Sequence, residues 1–314
     1  MKRFFTIAGT ILFLLLASVY VLIPEKLNIA SAVSYNANRE GVFRFLINDT
    51  NWQKWWPGTV SKNEDGSIML ASGGYNFQVE KIMYDIIRLK TGNNKPDSVL
   101  LRIVPYKIDM IGIELSTSVN NGMNPFSRIA GYFRAREIKK VFDKIVSALE
   151  KYTGDIRNIY GGINIRNEKV QYQHLVSVKQ ALSHYPSTQE IYTIIEKLRN
   201  YIRVRGAKEL FSPMLNIRKA DSSSYIVQLG LPTDKDLPED GDISSKWMMK
   251  NGNILAGEVA GGPGQIEAAM KQFEQYILDY QRSIIAIPFQ MLISDRTKEP
   301  DSSKWVTRIY YPVV

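Results

Sequence analysis

The chain has 314 residues, 45% of them hydrophobic, enough length and apolar content for two domains with buried cores. Its 40 Lys and Arg against 31 Asp and Glu give a formal net charge of +9, but basic and acidic residues are interleaved, so the basic run or zinc-finger spacing of a nucleic-acid-binding protein is missing. The absence of cysteine excludes disulfides, thiolate nucleophiles and Cys-ligated metal or iron–sulfur centres.

Residues 4–23 carry no charge and follow Lys2 and Arg3. About 20 helical residues at about 1.5 Å each cross the roughly 30 Å hydrocarbon core of a bilayer. The run predicts a single-pass anchor over residues 1–26 in a bacterial inner membrane. Lys2 and Arg3 would then be cytoplasmic and the rest of the chain extracytoplasmic, on the periplasmic side. A cleaved signal peptide is the alternative, with Ala30-Ser31-Ala32 as a small-x-small site well beyond the apolar run.

A first α+β domain is expected over residues 27–155. Residues 27–36 read as a strand, and Asn38-Arg39-Glu40 opens a helix with Val42, Phe43, Phe45 and Leu46 spaced for one apolar face. Trp52, Trp55 and Trp56 then crowd into five positions before Pro57-Gly58 turns the chain. Strands are predicted at residues 67–71, 75–83, 98–106 and 108–118. A long amphipathic helix follows Asn124-Pro125, with Ile129, Phe133, Ile138, Val141, Phe142, Ile145 and Leu149 at helical spacing. Its basic residues, interleaved with Glu137 and Asp143, read as a solvated face. Residues 154–162 read as a linker that a protease would cut near Tyr160.

This order of elements is that of the helix-grip fold, and residues 29–58, with Val42-Phe43, Trp52, Trp55, Trp56 and Pro57, resemble the opening of START-like (SRPBCC) proteins of the polyketide cyclase/dehydrase and lipid transport superfamily. The resemblance implies a hydrophobic cavity between the sheet and the last helix. The three indoles would then either wall a ligand or plug the end of the domain, as large aromatics in cores do.

The second domain, residues 163–314, repeats itself. Asp221, Ser222, Ser223, Tyr225 and Pro232 recur as Asp301, Ser302, Ser303, Trp305 and Pro312, a constant offset of 80. Upstream, a helix at 188–205 is matched to one at 265–282, and Pro213 and Pro288 each begin a strand. Each half reads strand, helix, strand, turn, strand. The strands lie at 172–182, 214–219 and 225–231 in the first half and at 254–260, 289–294 and 304–311 in the second.

This duplicated module, with Pro288, the hairpin over 295–303 and the closing Tyr310-Tyr311-Pro312-Val313, resembles the GyrI-like small-molecule-binding domain, also called the bacterial transcription activator effector-binding domain. The resemblance implies a cleft on the pseudo-twofold axis for small aromatic or cationic compounds, with a glutamate two residues before the final tyrosine pair. Arg308 stands there instead, so cation recognition and glutamate-dependent hydrolysis are not carried over. Alternation puts Val306, Arg308 and Tyr310 on one strand face, and the repeat makes Gln228 the counterpart of Arg308. Arg308 is expected either to attract a carboxylate or phosphate into the cleft or to pair structurally with an acid such as Glu258.

The sequence therefore points to a membrane-anchored, non-catalytic binder of a small hydrophobic or aromatic ligand, with organic anions and neutral aromatics favoured. Arg308, Tyr310, Gln228, Glu258, Val306, Trp52, Trp55 and Trp56 are its candidate contacts. The alternative is a cyclase- or hydrolase-type enzyme using Glu258 and Tyr310 as base and acid. His174 and His184 lack metal-ligand spacing, and no metal, cofactor or nucleic-acid partner is expected. A membrane helix where a regulator would carry a helix-turn-helix counts against a transcription factor.

Overall fold

A computed structural model describes residues 2–83, 85–91, 98–221 and 223–314, apart from the side chains of residues 2, 5, 8 and 12. Ser222, part of the repeated triplet, lies outside the described residues. The chain is α+β and divides into two compact units, Met1–Asp155 and Ile156–Val314.

The first unit begins with α1 (Lys2–Leu22) and β1 (Lys26–Tyr35). The Asn38 carboxamide caps α2 (Arg39–Ile47) by accepting from the Gly41 N–H, and α2 buries Val42, Phe45 and Leu46. After α3 (Trp52–Trp55) come β2 (Thr59–Lys62), β3 (Ile68–Ser72), β4 (Tyr75–Met83), β5 (Ile86–Thr91), β6 (Ser98–Lys107) and β7 (Met110–Asn120). They form one antiparallel sheet in the order β1-β7-β6-β5-β4-β3-β2, a meander closed by the first strand. The 29-residue α4 (Pro125–Thr153), capped by Asn124, packs on β1 and β7 and buries Ile138, Phe142, Ile145 and Leu149.

The expected anchor and its localisation are corrected here. Among the described residues, no helix is long and apolar enough to cross a membrane. The end of α1 is tied within its own unit. The Tyr20 hydroxyl donates to the Met123 carbonyl at 2.9 Å, and Arg128 stacks over the Tyr20 ring at 4.6 Å while donating to the Ile23 carbonyl at 3.0 Å.

The second unit starts at α5 (Ile156–Ile159), inside the stretch read as a linker. Tyr160 is only 1% exposed, its ring lies 5.2 Å from that of Tyr276, and its hydroxyl donates to the Asp279 carboxylate at 2.7 Å. The proteolytic site expected there is thus core rather than linker, because a protease needs accessible backbone. The elements that follow are β8 (Arg166–Lys169), β9 (His174–Leu182), α6 (Thr188–Val204), β10 (Met214–Lys219), β11 (Tyr225–Thr233) and β12 (Ile243–Trp247), then β13 (Asn253–Ala260), α7 (Pro263–Asp279), β14 (Phe289–Leu292) and β15 (Val306–Pro312).

The sheet order β12-β9-β11-β10-β14-β15-β13-β8 displays the duplication, since β9-β11-β10 and β13-β15-β14 are the same arrangement joined tail to tail. Register agrees with it: Gln228 faces Asn216, and Arg308 faces Met291. The helix pairing shifts from the expected one. α6 and α7 are each 17 residues long and are related by an offset of 75, the same as Pro213 and Pro288, because Pro263 at the first turn starts α7 early. The offset becomes 80 only from β11 and β15 onward, so the connection between β14 and β15 is five residues longer than its counterpart.

Each helix covers its own half of one sheet face. Ile195, Leu198 and Ile202 of α6 pack on Val227, Leu229 and Leu231, while Phe273 and Ile277 of α7 pack on Leu255, Ile309 and Tyr311. Alternation along the strands sends Ile254, Phe289, Met291 and Tyr310 to the opposite face, where they meet Val170, Tyr172, Met214 and Phe211. That face carries the cleft.

Candidate ligand-binding cleft

The two halves are joined weakly at their centre. β10 and β14 pair only at Met214 with Met291 and Leu215 with Gln290, and the Leu292 N–H then turns to the Pro213 carbonyl at 2.9 Å. Where the strands part, a cleft of about 880 Å³ opens between residues 168–172, the loop over 209–213, residues 291–293 and the β15 side chains Arg308 and Tyr310. Its size falls in the range of small-molecule pockets.

One part of the wall is aromatic and aliphatic, and charged and polar side chains line the rest. The Tyr172 ring lies 5.1 Å from Phe211 at 48°, and Tyr310 stacks on Phe289 at 5.0 Å and 18°, with Val170, Ile254 and Met291 between them. Burial pushes the Tyr172 phenol well above the ordinary tyrosine value, and the neighbouring Tyr310 adds to the shift. Burial also raises Tyr310; Arg308 pulls it part of the way back, and Glu168 and Glu258 push it up. Both phenols therefore remain protonated donors at neutral pH. Neither hydroxyl has a hydrogen-bond partner among the described residues.

Arg308 points into the cleft but is not a lone cation. Its Nη2 donates to Glu168 Oε1 at 2.5 Å, its Nη1 lies 3.8 Å from Glu258 Oε1, and its guanidinium carbon sits 5.5 Å from the Tyr310 ring centre. Its Nε is buried without a partner. The bridge joins β15 to β8 over the intervening β13, where Glu258 pairs with Arg308 and Ile254 with Glu168. Arg199 is likewise engaged, by Glu209 at 3.0 Å and Glu196 at 2.9 Å, and the Lys169 ammonium donates to Asn253 at 2.7 Å. Among the residues that line the cleft, Lys169, Arg199 and Arg308 balance Glu168, Glu209 and Asp295. The anion preference expected from Arg308 alone loses its basis, because a charge paired at hydrogen-bond distance exerts little net field on a third group.

Of the other residues singled out in the sequence, Val306 shares the strand face of Arg308 but does not line the cleft; its N–H is held by the Ser294 hydroxyl at 2.8 Å. Gln228 lies on β11 opposite Asn216, also outside the lining. The Glu258 carboxylate is 61% exposed on the rim and turned to Arg308, so Glu258 and Tyr310 do not form an acid–base pair inside the cavity. Trp52, Trp55 and Trp56 are all buried in the first unit, with ring centres 5.2 to 6.1 Å apart. The Trp52 and Trp56 N–H groups donate to the Leu46 and Ala71 carbonyls at 3.0 and 3.1 Å, which makes these indoles core. The START-like resemblance implied a hydrophobic cavity between the sheet and α4. The space between α4 and the sheet, at Phe77, Val99, Ile138 and Phe142, has no volume that a water molecule can enter.

Glu168, Tyr172, Arg199, Glu209 and Phe211 were not anticipated as cleft residues. Glu168 sits in a four-residue edge strand without apolar alternation, and Phe211 lies in a loop whose only signal is the proline two positions on. Tyr172 was read as the first residue of a strand over 172–182, whereas β9 begins only at His174.

No family model matches the chain, and no curated protein matches it. It is similar to solved structures over about half its length. One is the EcmrR C-terminal domain, at 14% identity over 48% of this chain and 98% of that one, with a TM-score of 0.41. Another is SAV2435 bound to tetraphenylphosphonium, at 15% identity over 48% and 94%, with a TM-score of 0.33. A third is a hydrolase from Listeria innocua, at 10% identity over 48% and 92%, with a TM-score of 0.35.

Proposed function

We propose that the second unit is a small-molecule-binding module of the effector-binding type and that its ligand is a flat, largely apolar molecule held in the central cleft. The observation that carries this reading is the cavity of about 880 Å³ walled by Tyr172, Phe211 and Tyr310 at the junction of the two repeats. An aromatic wall gives a small-ligand pocket affinity, and the polar and charged groups around it give orientation. The paired charges on the rim favour an uncharged ligand, since an ion would have to displace an existing partner. The first unit supports the reading by contrast, because the space between α4 and its sheet at Phe77 and Phe142 has no volume that a water molecule can enter among the described residues.

A fluorescence titration of the full chain with 2-isopropylnaphthalene tests this. Saturable one-to-one binding is expected. A linear, non-saturating response would mean that the cleft does not take such molecules.

A further inference from the structure

We infer that the ligand bears a neutral hydrogen-bond acceptor, a ketone- or quinone-type carbonyl on its flat body, which the phenols of Tyr172 and Tyr310 engage together. This rests on the binding reading given above and adds the chemical class of the ligand to it. Tyr172 is 7% exposed and Tyr310 half-buried; both line the same cavity, and neither hydroxyl is bonded within the protein among the described residues. Neither phenol oxygen is sealed off from the cavity, and two hydroxyls on one cavity wall that are unbonded within the described residues are free to donate to an outside group.

The polarity of that group follows from the surroundings. Both phenols keep their protons and offer O–H donors, and a carbonyl oxygen has two lone pairs, enough to accept from both. Tyr172 and Tyr310 belong to one side-chain cluster on the wall of one cavity, so a single oxygen is the economical bridge. The charges on the cleft are paired in both signs, Glu168 with Arg308, Glu209 with Arg199 and Asp295 with Lys298, so an ionic ligand would have to displace an existing partner where a neutral acceptor would not.

The test is a titration of the full chain and of its Tyr172→Phe, Tyr310→Phe and doubly substituted variants with four probes of one shape: 2-acetonaphthone, 2-isopropylnaphthalene, 2-naphthoate and trimethyl(2-naphthyl)ammonium. Phenylalanine keeps each ring and its stacking, and thermal unfolding of each variant reports its folding. 2-Acetonaphthone is expected to bind wild type about tenfold more tightly than 2-isopropylnaphthalene and more tightly than either ion. Each single substitution should remove part of that advantage and the double one all of it, with 2-isopropylnaphthalene unchanged throughout. Equal binding of the ketone and the hydrocarbon, or a ketone advantage that survives the double substitution, would overturn the inference while leaving the cleft reading standing. Tightest binding of either ion would overturn it as well. Failure of all four probes to bind wild type would overturn both.

Discussion

Ser212→Trp is expected to weaken 2-isopropylnaphthalene binding by at least about tenfold without lowering the temperature of unfolding. Ser212 lies between Phe211 and Pro213 in the loop that forms one wall of the cleft, and it is only half-buried, so the backbone need not move to admit a larger side chain. An indole buries roughly 150 to 250 Å² and would settle against the same Tyr172 and Phe211 surface that a flat ligand needs. Lys250→Trp, at an exposed position of the same unit away from the lining, is the matched control. Calorimetric titration of the three proteins decides it. Equal affinities would show that binding occurs elsewhere.

Trp52→Ala is expected to destabilise the first unit by about 3 to 5 kcal/mol. Trp52 is fully buried, touches both neighbouring indoles and donates to the Leu46 carbonyl, so its removal opens a large cavity and strips an acceptor of its partner. Trp55→Phe provides the contrast. The Trp55 N–H is buried with no acceptor, so its loss relieves an unmet polar group and offsets part of the volume lost, for a cost of about 1.5 kcal/mol or less. Denaturant unfolding followed by far-UV circular dichroism measures both. Comparable losses from the two substitutions would contradict the packing described for this cluster.

Much of the architecture could be read from residue patterns because the relevant signals were local and periodic. The apolar positions of α4 lie at helical spacing, and the alternation of β6, β7 and β15 reports one buried face each. The repeat was visible through Asp221 and Asp301, whose carboxylates each accept from the N–H two residues on, at Ser223 and Ser303. Short strands were harder. β2, β8 and β12 lie at sheet edges with mostly exposed or half-exposed residues, and β5 follows β4 through a connection lacking glycine or proline. Of the site, Arg308 and Tyr310 were legible from the strand they share. Their partners were not, because Glu168 lies two strands away in space and 140 residues away in sequence, and a lone glutamate carries no periodic mark. The charge of Arg308 was therefore read without the carboxylate that offsets it. The tryptophans drew notice for their density, whereas their role was fixed by carbonyl acceptors at Leu46 and Ala71 that no spacing rule exposes.

A crystal structure of the full chain with 2-isopropylnaphthalene bound would test most directly where this protein holds a small molecule. The ring system is expected between Tyr172, Phe211 and Tyr310, beside the point where β10 and β14 part. Its appearance instead between α4 and the first unit's sheet, against Phe77 and Phe142, would contradict the assignment of binding to the second unit.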